Sequence, residues 1–177
     1  MNRLRTLCVM GTFDNQTNQE VTRIREILKK QDIAIDAYEP HITFGIYTGL
    51  EEISLFKWIG EVASQHKTTS ILFNHFGFFS DARYCFLAPC SSYGLLELHS
   101  KIHEKYDNCC ADKGCLYSLN QKNWVPHMTI SSVASGQEET LLSILWREFS
   151  PFSAELKQLK ITSSDSNKHV GVFELKR

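Results

Sequence analysis

The apolar positions of this 177-residue chain follow two periods in turn, and the change of period predicts alternating strands and helices. Consecutive or alternating apolar residues are typical of β-strands, whereas apolar residues three or four positions apart are typical of amphipathic helices. Both helices predicted in the first half open on a threonine with Glu three positions later, at Thr17 and Thr48, which is the form of a capping box. The pattern predicts strand 4–10, helix 17–31, strand 40–47, helix 48–63 and strand 70–79.

The second half of the chain repeats this order and adds one strand. A third capping box begins at Ser135, and strands 70–79 and 83–88 are close enough to form a hairpin. No low-complexity or proline-rich segment separates the halves, so we predict a single domain spanning residues 1–177. The pattern predicts strand 83–88, helix 89–106, loop 109–123, strand 126–133, helix 135–149 and strands 155–162 and 169–175.

The repeat is clearest in one short motif. Pro40-His41-Ile42-Thr43-Phe44 matches Pro126-His127-Met128-Thr129-Ile130, nearly half the chain away. Side chains alternate between the two faces of a strand, so the His and Thr of each copy share one face. The residues between them, Ile42 and Met128, point to the other face, where apolar packing is expected. If a pseudo-twofold axis relates the copies, two His/Thr pairs face each other across a cleft.

Two facing imidazoles suit phosphodiester chemistry that needs no metal ion. One neutral histidine can accept a proton from an attacking hydroxyl or water, while the other, protonated, can give a proton to the leaving oxygen. Threonine hydroxyls can donate hydrogen bonds to the non-bridging phosphate oxygens, where negative charge concentrates. The two motifs therefore favour proton-transfer catalysis at a phosphate, without a cofactor.

The overall charge narrows the kind of substrate that such a site would serve. The chain has 19 Lys and Arg against 20 Asp and Glu, a net charge of -1, and its 42% of hydrophobic residues is typical of a globular protein. A protein that binds nucleic acid mainly by neutralising phosphates carries a basic excess, which this chain lacks. We therefore expect a small nucleotide or an RNA end as substrate, and no binding of bulk nucleic acid.

Neither a membrane segment nor a disulfide framework is predicted. The N-terminal apolar stretch has only about six residues, fewer than a signal peptide or a spanning helix needs, so we expect a cytoplasmic protein and, by default, a monomer. In that compartment the cysteines are expected to be reduced. Cys8 and Cys85 lie in strand-like runs and are predicted to be small core residues, whereas the cluster Cys109, Cys110 and Cys115 has no predicted role.

The paired His-x-Thr motifs resemble the signature of the 2H phosphoesterase superfamily, which includes bacterial 2′-5′ RNA ligase-like proteins and cyclic nucleotide phosphodiesterases. Chain size, motif separation and element order agree with it over essentially the whole chain. The resemblance implies a bilobed α+β fold, in which pseudo-twofold duplicated antiparallel sheets with flanking helices line a central cleft and exchange strands between lobes. It also implies that His41 and His127 are the catalytic acid and base, and that Thr43 and Thr129 bind phosphate.

The substrate implied is a 2′,3′-cyclic phosphate or a 2′-5′ phosphodiester of a nucleotide or RNA end, in RNA processing; ligation is the same chemistry in reverse. Ligase-like relatives often carry basic residues beside the second motif, whereas Lys122 is the only cation in 120–125, which disfavours a long RNA. Trp124 and Tyr84 are candidates for stacking a base, with Tyr47 and Phe79 as weaker ones. The near-equivalent motifs do not distinguish which histidine is the base.

Two other functions fit parts of the sequence. A non-catalytic relative would bind a nucleotide or RNA end without turnover, although the complete His and Thr set in both copies argues against it. His99 and His103 share one face of a predicted helix and are followed by the cysteine cluster, which would suit a zinc site. Because no His-Glu-x-x-His pattern is present, we instead expect a solvated helix face there and predict no metal.

Overall fold

The computed structural model describes residues 6–79, 84–90, 92–110, 117–120, 123–163 and 168–177. Within them, strands and helices follow the predicted order, and the predicted loop adds one 3-10 turn at Asp107–Cys109. The strands are β1 (Leu7–Phe13), β2 (His41–Tyr47), β3 (Thr69–Phe79), β4 (Tyr84–Pro89), β5 (Met128–Ser132), β6 (Phe152–Ser163) and β7 (Lys168–Glu174). The helices are α1 (Asn15–Lys29), α2 (Glu52–Gln65), α3 (Tyr93–His103) and α4 (Glu138–Glu148).

The seven described strands form one antiparallel sheet with a symmetrical strand order. The order β2-β1-β6-β3-β4-β5 reads the same from either end when β1 is exchanged with β4, β2 with β5, and β3 with β6. A pseudo-twofold axis between β3 and β6 produces this order, so the predicted α+β fold with a duplicated antiparallel arrangement is confirmed. Strand β7 lies outside the repeat and pairs with β6.

Strand β6 joins the two lobes. Its first residues, 152–156, pair with β3, whereas residues 156–163 pair with β1 and residues 158–163 also pair with β7. One lobe therefore contains β2, β1, β6 and β7, and the other contains β5, β4, β3 and the start of β6. The two predicted sheets are halves of one continuous sheet, and each lobe takes strands from both halves of the sequence. The predicted antiparallel pairing of β3 with β4 is confirmed, while their connection at 80–83 lies outside the described residues.

The predicted cap of helix α1 is wrong by three residues. Asp14 is the N-cap, and its carboxylate accepts from the Thr17 backbone N–H (2.8 Å) and from the Glu155 backbone N–H of β6 (3.0 Å). An Asp side chain caps a helix at least as well as a threonine hydroxyl, and here it also ties the helix to the sheet. Thr17 therefore lies inside the helix and is buried.

The caps predicted at Thr48 and Ser135 are also wrong. Helices α2 and α4 begin later, at Glu52 and Glu138, after the N-cap residues Glu51 and Gln137, neither of which makes a side-chain cap bond. A glycine follows each predicted cap residue with a left-handed backbone, φ +73° at position 49 and +90° at position 136. Such a conformation belongs to a turn, so it separates each hydroxyl residue from the helix that it was expected to cap.

Helices cover one face of the sheet, and the hydrophobic core lies between the helices and the sheet. Ile42 and Met128, the middle residues of the two motifs, are fully buried there, which confirms the predicted alternation along both strands. Cys85 is buried as predicted, but Cys8 is outside the core cluster and contacts Thr43 and Thr162 on the other face. No described helix combines the length and apolar character that a bilayer span requires.

Candidate active site

The two motif strands stand at opposite ends of the strand order and yet contact each other, because the sheet curls. The residues that lead into the first motif run along the open edge of β5. The Asp36 backbone N–H donates to the Ile130 carbonyl (3.1 Å), and the Ser132 backbone N–H donates to the Ala34 carbonyl (3.0 Å). The approach to one motif is thus fixed directly on the strand of the other.

Both motif histidines are anchored in the same way. Nδ1 of His41 donates to the backbone carbonyl of Glu39 (2.8 Å), and Nδ1 of His127 donates to that of Val125 (2.7 Å). A carbonyl oxygen only accepts hydrogen bonds, so Nδ1 carries the proton in each neutral ring. Nε2 is left for proton transfer in both residues, as a base when neutral and an acid when protonated.

The proline of each motif explains why this anchoring recurs. Glu39 and Val125 each precede a proline, which restricts the preceding residue to an extended backbone, and the proline ring fixes its own φ near −65°. The carbonyl of the residue before proline is therefore held in a narrow range of directions relative to the histidine that follows. The Pro-His dipeptide thus places a carbonyl where Nδ1 of the ring can donate to it.

His127 lies against aromatic rings. The ring centroids of Phe79 and Phe86 are 4.8 Å and 5.5 Å from that of His127, both in edge-to-face arrangements. Phe86 in turn fits over Gly77, where an added Cβ would lie 2.8 Å from the phenyl ring. Burial lowers the pKa of His127, and the nearby His41 lowers it further, against the opposing hydrogen bond to Val125. The neutral form of His127 is therefore favoured.

His41 lies among polar side chains instead. It pairs with Thr12 on β1, and the Thr12 hydroxyl donates to Oε1 of Gln158 on β6 (3.3 Å). Lys160, also on β6, donates to both carboxylate oxygens of Glu39, at 2.8 Å and 2.7 Å. The two motifs thus share backbone geometry but differ in surroundings: apolar at His127, polar and charged at His41.

Thr43 and Thr129 lie beside their histidines and are half-buried. Their backbone carbonyls are held from the side: Trp124 Nε1 donates to the Thr43 carbonyl (3.2 Å), and Arg25 donates to the Thr129 carbonyl (2.7 Å). The Thr43 side chain also contacts the hydroxyl of Tyr117. Burial raises the pKa of Tyr117 to about 12, so its hydroxyl stays protonated and can donate.

The two predicted stacking residues differ in placement. Tyr84 is on β4, shares a face with Phe86 and is exposed, so its ring is open to a ligand at the edge of the aromatic wall around His127. Trp124 stacks on His99, with ring centroids 3.8 Å apart and planes within 2°, and packs near Phe44. Its observed contacts are those of a packing side chain that braces β2, and its role in binding a base stays a prediction.

Sequence reasoning missed several residues around the motifs. Arg25, Glu39, Tyr117 and Lys160 lie outside the two motifs, and nothing in the local pattern around Arg25, Tyr117 or Lys160 marks them. Glu39 alone had a usable signal, because it directly precedes the Pro-His dipeptide whose geometry it completes. Phe79 was a weak candidate on its aromatic character and proves to touch His127.

The expectation that His99 and His103 lie on a solvated helix face is wrong. Both are buried on the side of α3 that packs behind β2, where His99 Nε2 donates to the Tyr117 carbonyl and His103 Nε2 to the Phe44 carbonyl, each at 2.7 Å. The helix spacing was correct, but the apolar face of α3 is wider than its leucines indicate. Among the described residues, no three His, Cys, Asp or Glu side chains are grouped as a metal site would require.

Asp107 completes this buried network. Its carboxylate contacts His103 Nδ1 (2.9 Å) and accepts from Ser118 Oγ (2.9 Å), the Leu119 backbone N–H (2.9 Å) and the Asn120 side chain (2.9 Å). Burial opposes ionisation, but the hydrogen bonds from Leu119 and Ser118 and the neighbouring His103 together lower the pKa of Asp107. The predicted loop is therefore fixed to α3 at its described residues 117–120.

His99 makes the unfolding free energy depend on pH. Burial and then His103 lower the pKa of His99 to about 4 from 6.5. Between these values the unfolded chain binds a proton that the folded chain does not, so stability is lost as pH falls from about 6.5 to 4, by about 1.4 kcal/mol per pH unit at most. Denaturant titrations should show a shallower pH dependence for His99→Gln, whereas an unchanged slope would contradict a neutral His99.

The cysteine cluster contributes backbone contacts. The Thr48 backbone N–H donates to the Cys109 carbonyl (2.9 Å), and Cys110 forms an isolated bridge with Tyr47. The described cysteines Cys8, Cys85, Cys90, Cys109 and Cys110 form no disulfide with one another. Cys115 and Lys122 lie outside the described residues.

Comparison with known proteins agrees with this architecture. The model of a family described as the 2′-5′ RNA ligase superfamily matches residues 13–168. No curated protein matches the chain in sequence. The solved structure of Escherichia coli LigT with NADP+ is similar, with a TM-score of 0.68 and 12% identity over 99% of this chain and 100% of that one.

Two further structures share the fold. TT0787 of Thermus thermophilus matches with a TM-score of 0.67 and 10% identity, over 97% of this chain and 98% of its own. The PDE domain of MHV ns2 matches with a TM-score of 0.54 and 15% identity, over 90% of this chain and 98% of its own. At these identities the structural likeness shows the fold, while the family model spans most of the chain. The chain belongs to the 2′-5′ RNA ligase superfamily of 2H phosphoesterases.

Proposed function

We propose that this protein is a metal-independent phosphodiesterase that acts on a 2′,3′-cyclic phosphate or a 2′-5′ phosphodiester of a nucleotide or RNA end. The observation that supports this most is the matched anchoring of His41 and His127, which leaves Nε2 of both rings for proton transfer. Each ring has a threonine hydroxyl beside it on the same face of the sheet, where a phosphate between the rings would meet two neutral donors.

The proposed cleavage of a 2′-5′ linkage begins with attack by the adjacent 3′-hydroxyl. The O3′–P bond forms, the P–O5′ bond breaks, and a 2′,3′-cyclic phosphate and a free 5′-hydroxyl result. One histidine Nε2 takes the proton from the 3′-hydroxyl, and the other Nε2 gives its proton to the departing O5′. Hydrolysis of the cyclic phosphate uses water in place of the 5′-hydroxyl: the water oxygen bonds to phosphorus, the P–O3′ bond breaks, and a 2′-phosphate and a free 3′-hydroxyl result. Ligation reverses the first step. In both of these reactions the two histidines exchange roles.

We assign the base of the cleavage step to His127 and the acid to His41. The aromatic surroundings of His127 lower its pKa and favour the neutral ring that a base needs. The same rings, with the exposed Tyr84 at their edge, offer a stacking surface for the nucleobase of the attacking nucleoside. The polar surroundings of His41 then face the departing 5′-hydroxyl.

The similar structures agree with a nucleotide substrate. LigT of Escherichia coli has been crystallised with NADP+, 3′-AMP, ATP and phosphate, and the similar domain of MHV ns2 is described as a PDE domain. By analogy we propose an adenine nucleotide or an adenosine-ended RNA as the first ligand to test. A role in RNA processing as a cytoplasmic monomer remains part of the proposal.

The experiment is a turnover panel with a chelator present. It compares 2′,3′-cyclic AMP, a 2′-5′-linked adenylyl dinucleotide, its 3′-5′ isomer and an ADP-ribose cyclic phosphate, with products identified by chromatography. The proposal expects turnover of at least one of the first two substrates and no loss of rate with the chelator. Retention of these ligands without turnover would favour the alternative, a nucleotide-binding module of the same fold.

Thr43→Ala and Thr129→Ala are each expected to lower kcat about 10²-fold, because each removes one donor to the charge that develops on the phosphate. Thr43→Ser and Thr129→Ser keep the hydroxyl and should retain most of the activity. The exposed Thr22 of α1 supplies the matched control, Thr22→Ala, which should be unaffected. Steady-state kinetics on the best substrate of the panel measures all five variants. Equal rates for the alanine variants and wild type would rule out a phosphate-binding role.

A further inference from the structure

We propose that the ion pair between Lys160 and Glu39 is the device that positions His41 and keeps its surroundings electrically balanced. Lys160 is a positioning residue in this proposal and acts through Glu39. The kinetic part of its test rests on the function proposed above. The pair joins β6 to the segment before β2, across 121 positions of sequence.

The ion pair lies on the face of the sheet that carries the motifs. Gln158, Lys160 and Thr162 alternate along β6 with the buried Leu159 and Ile161, so their side chains share the face opposite the core. Lys160 pairs with Met10 of β1, and Met10 pairs with Thr43 of β2. The ammonium group is therefore only two strands away from the first motif.

The geometry of the pair differs from that of the surface ion pairs. Lys160 Nζ contacts both oxygens of Glu39, and the two side chains are 15% and 35% exposed. By comparison, Lys157 and Glu155 on the same strand are 35% and 42% exposed. A more buried pair that meets two acceptors at short range is held in one geometry more firmly than a solvated pair.

Glu39 connects the pair to the catalytic ring. Its side chain is held by Lys160, its backbone carbonyl accepts the proton of His41 Nδ1, and Pro40 restricts the backbone between them. The matching residue at the second motif is Val125, which is exposed and has no charge, and His127 is held by phenyl rings instead. The two histidines thus have the same backbone anchor but different outer supports.

The pair also sets the charge around His41. Four described titratable groups surround this histidine. Its own segment contributes Glu39 and Tyr38, β6 contributes Lys160, and His127 lies beside β5. Glu174 of β7 is more distant and hydrogen-bonds to Gln158 of β6. β1 contributes Thr12, which does not titrate. Removing either partner of the ion pair leaves one unbalanced charge beside the ring, and the sign of that charge depends on which partner is removed.

The test uses opposite shifts of the pH profile. Lys160→Met leaves the carboxylate of Glu39 unpaired, which favours the protonated ring, so the alkaline limb of kcat/KM should move up by roughly half a unit to one unit. Glu39→Gln leaves the ammonium of Lys160 unpaired and should move the same limb down by a similar amount. In the double variant the alkaline limb should return near its wild-type position, but kcat should be about 10-fold below that of wild type. Lys160→Arg, which can still pair with the carboxylate, should restore kcat.

Controls separate this role from simple loss of stability. Lys157→Met removes a lysine from the same strand and should leave both limbs in place. Thermal unfolding of each variant identifies any that do not fold. Shifts of both single variants in the same direction, or profiles that match wild type, would overturn the proposal.

A second readout does not depend on turnover. The ¹⁵N chemical shifts of the imidazole nitrogens in the full-length protein report the tautomer of each ring. Lys160→Met should reduce the Nδ1–H fraction of neutral His41 and leave His127 unchanged. If wild type turns over no substrate of the panel, the proposed function fails while this measurement still tests the positioning role. An unchanged His41 tautomer in Lys160→Met would overturn it.

Discussion

Replacing His127 or His41 with alanine is expected to lower kcat by about 10²–10⁴-fold, the usual contribution of a general acid or base. In the proposed mechanism each ring transfers a proton through its Nε2 atom, and the two rings act on one reaction coordinate. The kcat of the double variant should therefore be only slightly below that of the less active single variant, because one histidine contributes little once the other has been removed. KM should change less than kcat, since the threonine hydroxyls proposed to bind the phosphate remain.

The matched control is His66→Gln. His66 lies at the C-terminal cap of α2, where Nδ1 donates to the Val62 carbonyl (2.9 Å), and its own backbone carbonyl accepts from the Lys176 N–H (2.8 Å). Its substitution should leave kcat within about twofold of wild type. If His41→Ala and His127→Ala both retained wild-type turnover while folded, the assignment of the acid and base would be wrong.

Asp107→Asn is expected to be the most destabilising single substitution considered, by about 3–5 kcal/mol. The carboxylate is only 15% exposed and contacts His103, whose other ring nitrogen donates to a carbonyl. An amide keeps one acceptor oxygen and replaces the other by an NH2 donor. Either His103 and the Leu119 backbone N–H, or Ser118 and the Asn120 side chain, therefore face a donor where they had an acceptor. Chemical denaturation at neutral pH measures the difference in the free energy of unfolding.

Glu104→Gln supplies the comparison for Asp107→Asn. Glu104 is three residues earlier and pairs with Lys101 at 2.6 Å, but its side chain is 56% exposed. Its substitution should change stability by no more than about 0.5 kcal/mol, as expected for a surface ion pair. Similar small effects for both variants would show that the Asp107 network contributes little to the fold.

The order of elements and the two motifs could be predicted because their signals are local. A two-residue period marked the strands, a three-to-four-residue spacing marked the helices, and the Pro-His-x-Thr repeat placed His41 and His127 on equivalent strands. The predicted helix caps were wrong because a capping-box pattern in the sequence does not by itself determine where a helix begins. Thr48 and Ser135 have the spacing of a capping box, but the glycine after each allows a turn, and the helices begin only at Glu52 and Glu138.

The surroundings of the two histidines could not be read from the sequence, because they depend on which strands become neighbours. Lys160 reaches Glu39 only because β6 pairs with β1, and Phe79 reaches His127 only because β3 pairs with β4. Nearly identical motifs therefore receive different electrostatic environments. The burial of His99 and His103 escaped prediction for a similar reason, since their partners are backbone carbonyls that no sequence pattern marks.

The most direct measurement is the pH dependence of kcat/KM for the 2′-5′-linked adenylyl dinucleotide, with a chelator present throughout. A bell-shaped profile is predicted, with an acid limb below about pH 6.5 because burial lowers the pKa of His127. The residual activity of His127→Ala should have a pH profile without the acid limb, and that of His41→Ala should have a profile without the alkaline limb. Loss of turnover with the chelator, or a profile whose limbs survive both substitutions, would contradict catalysis by this histidine pair.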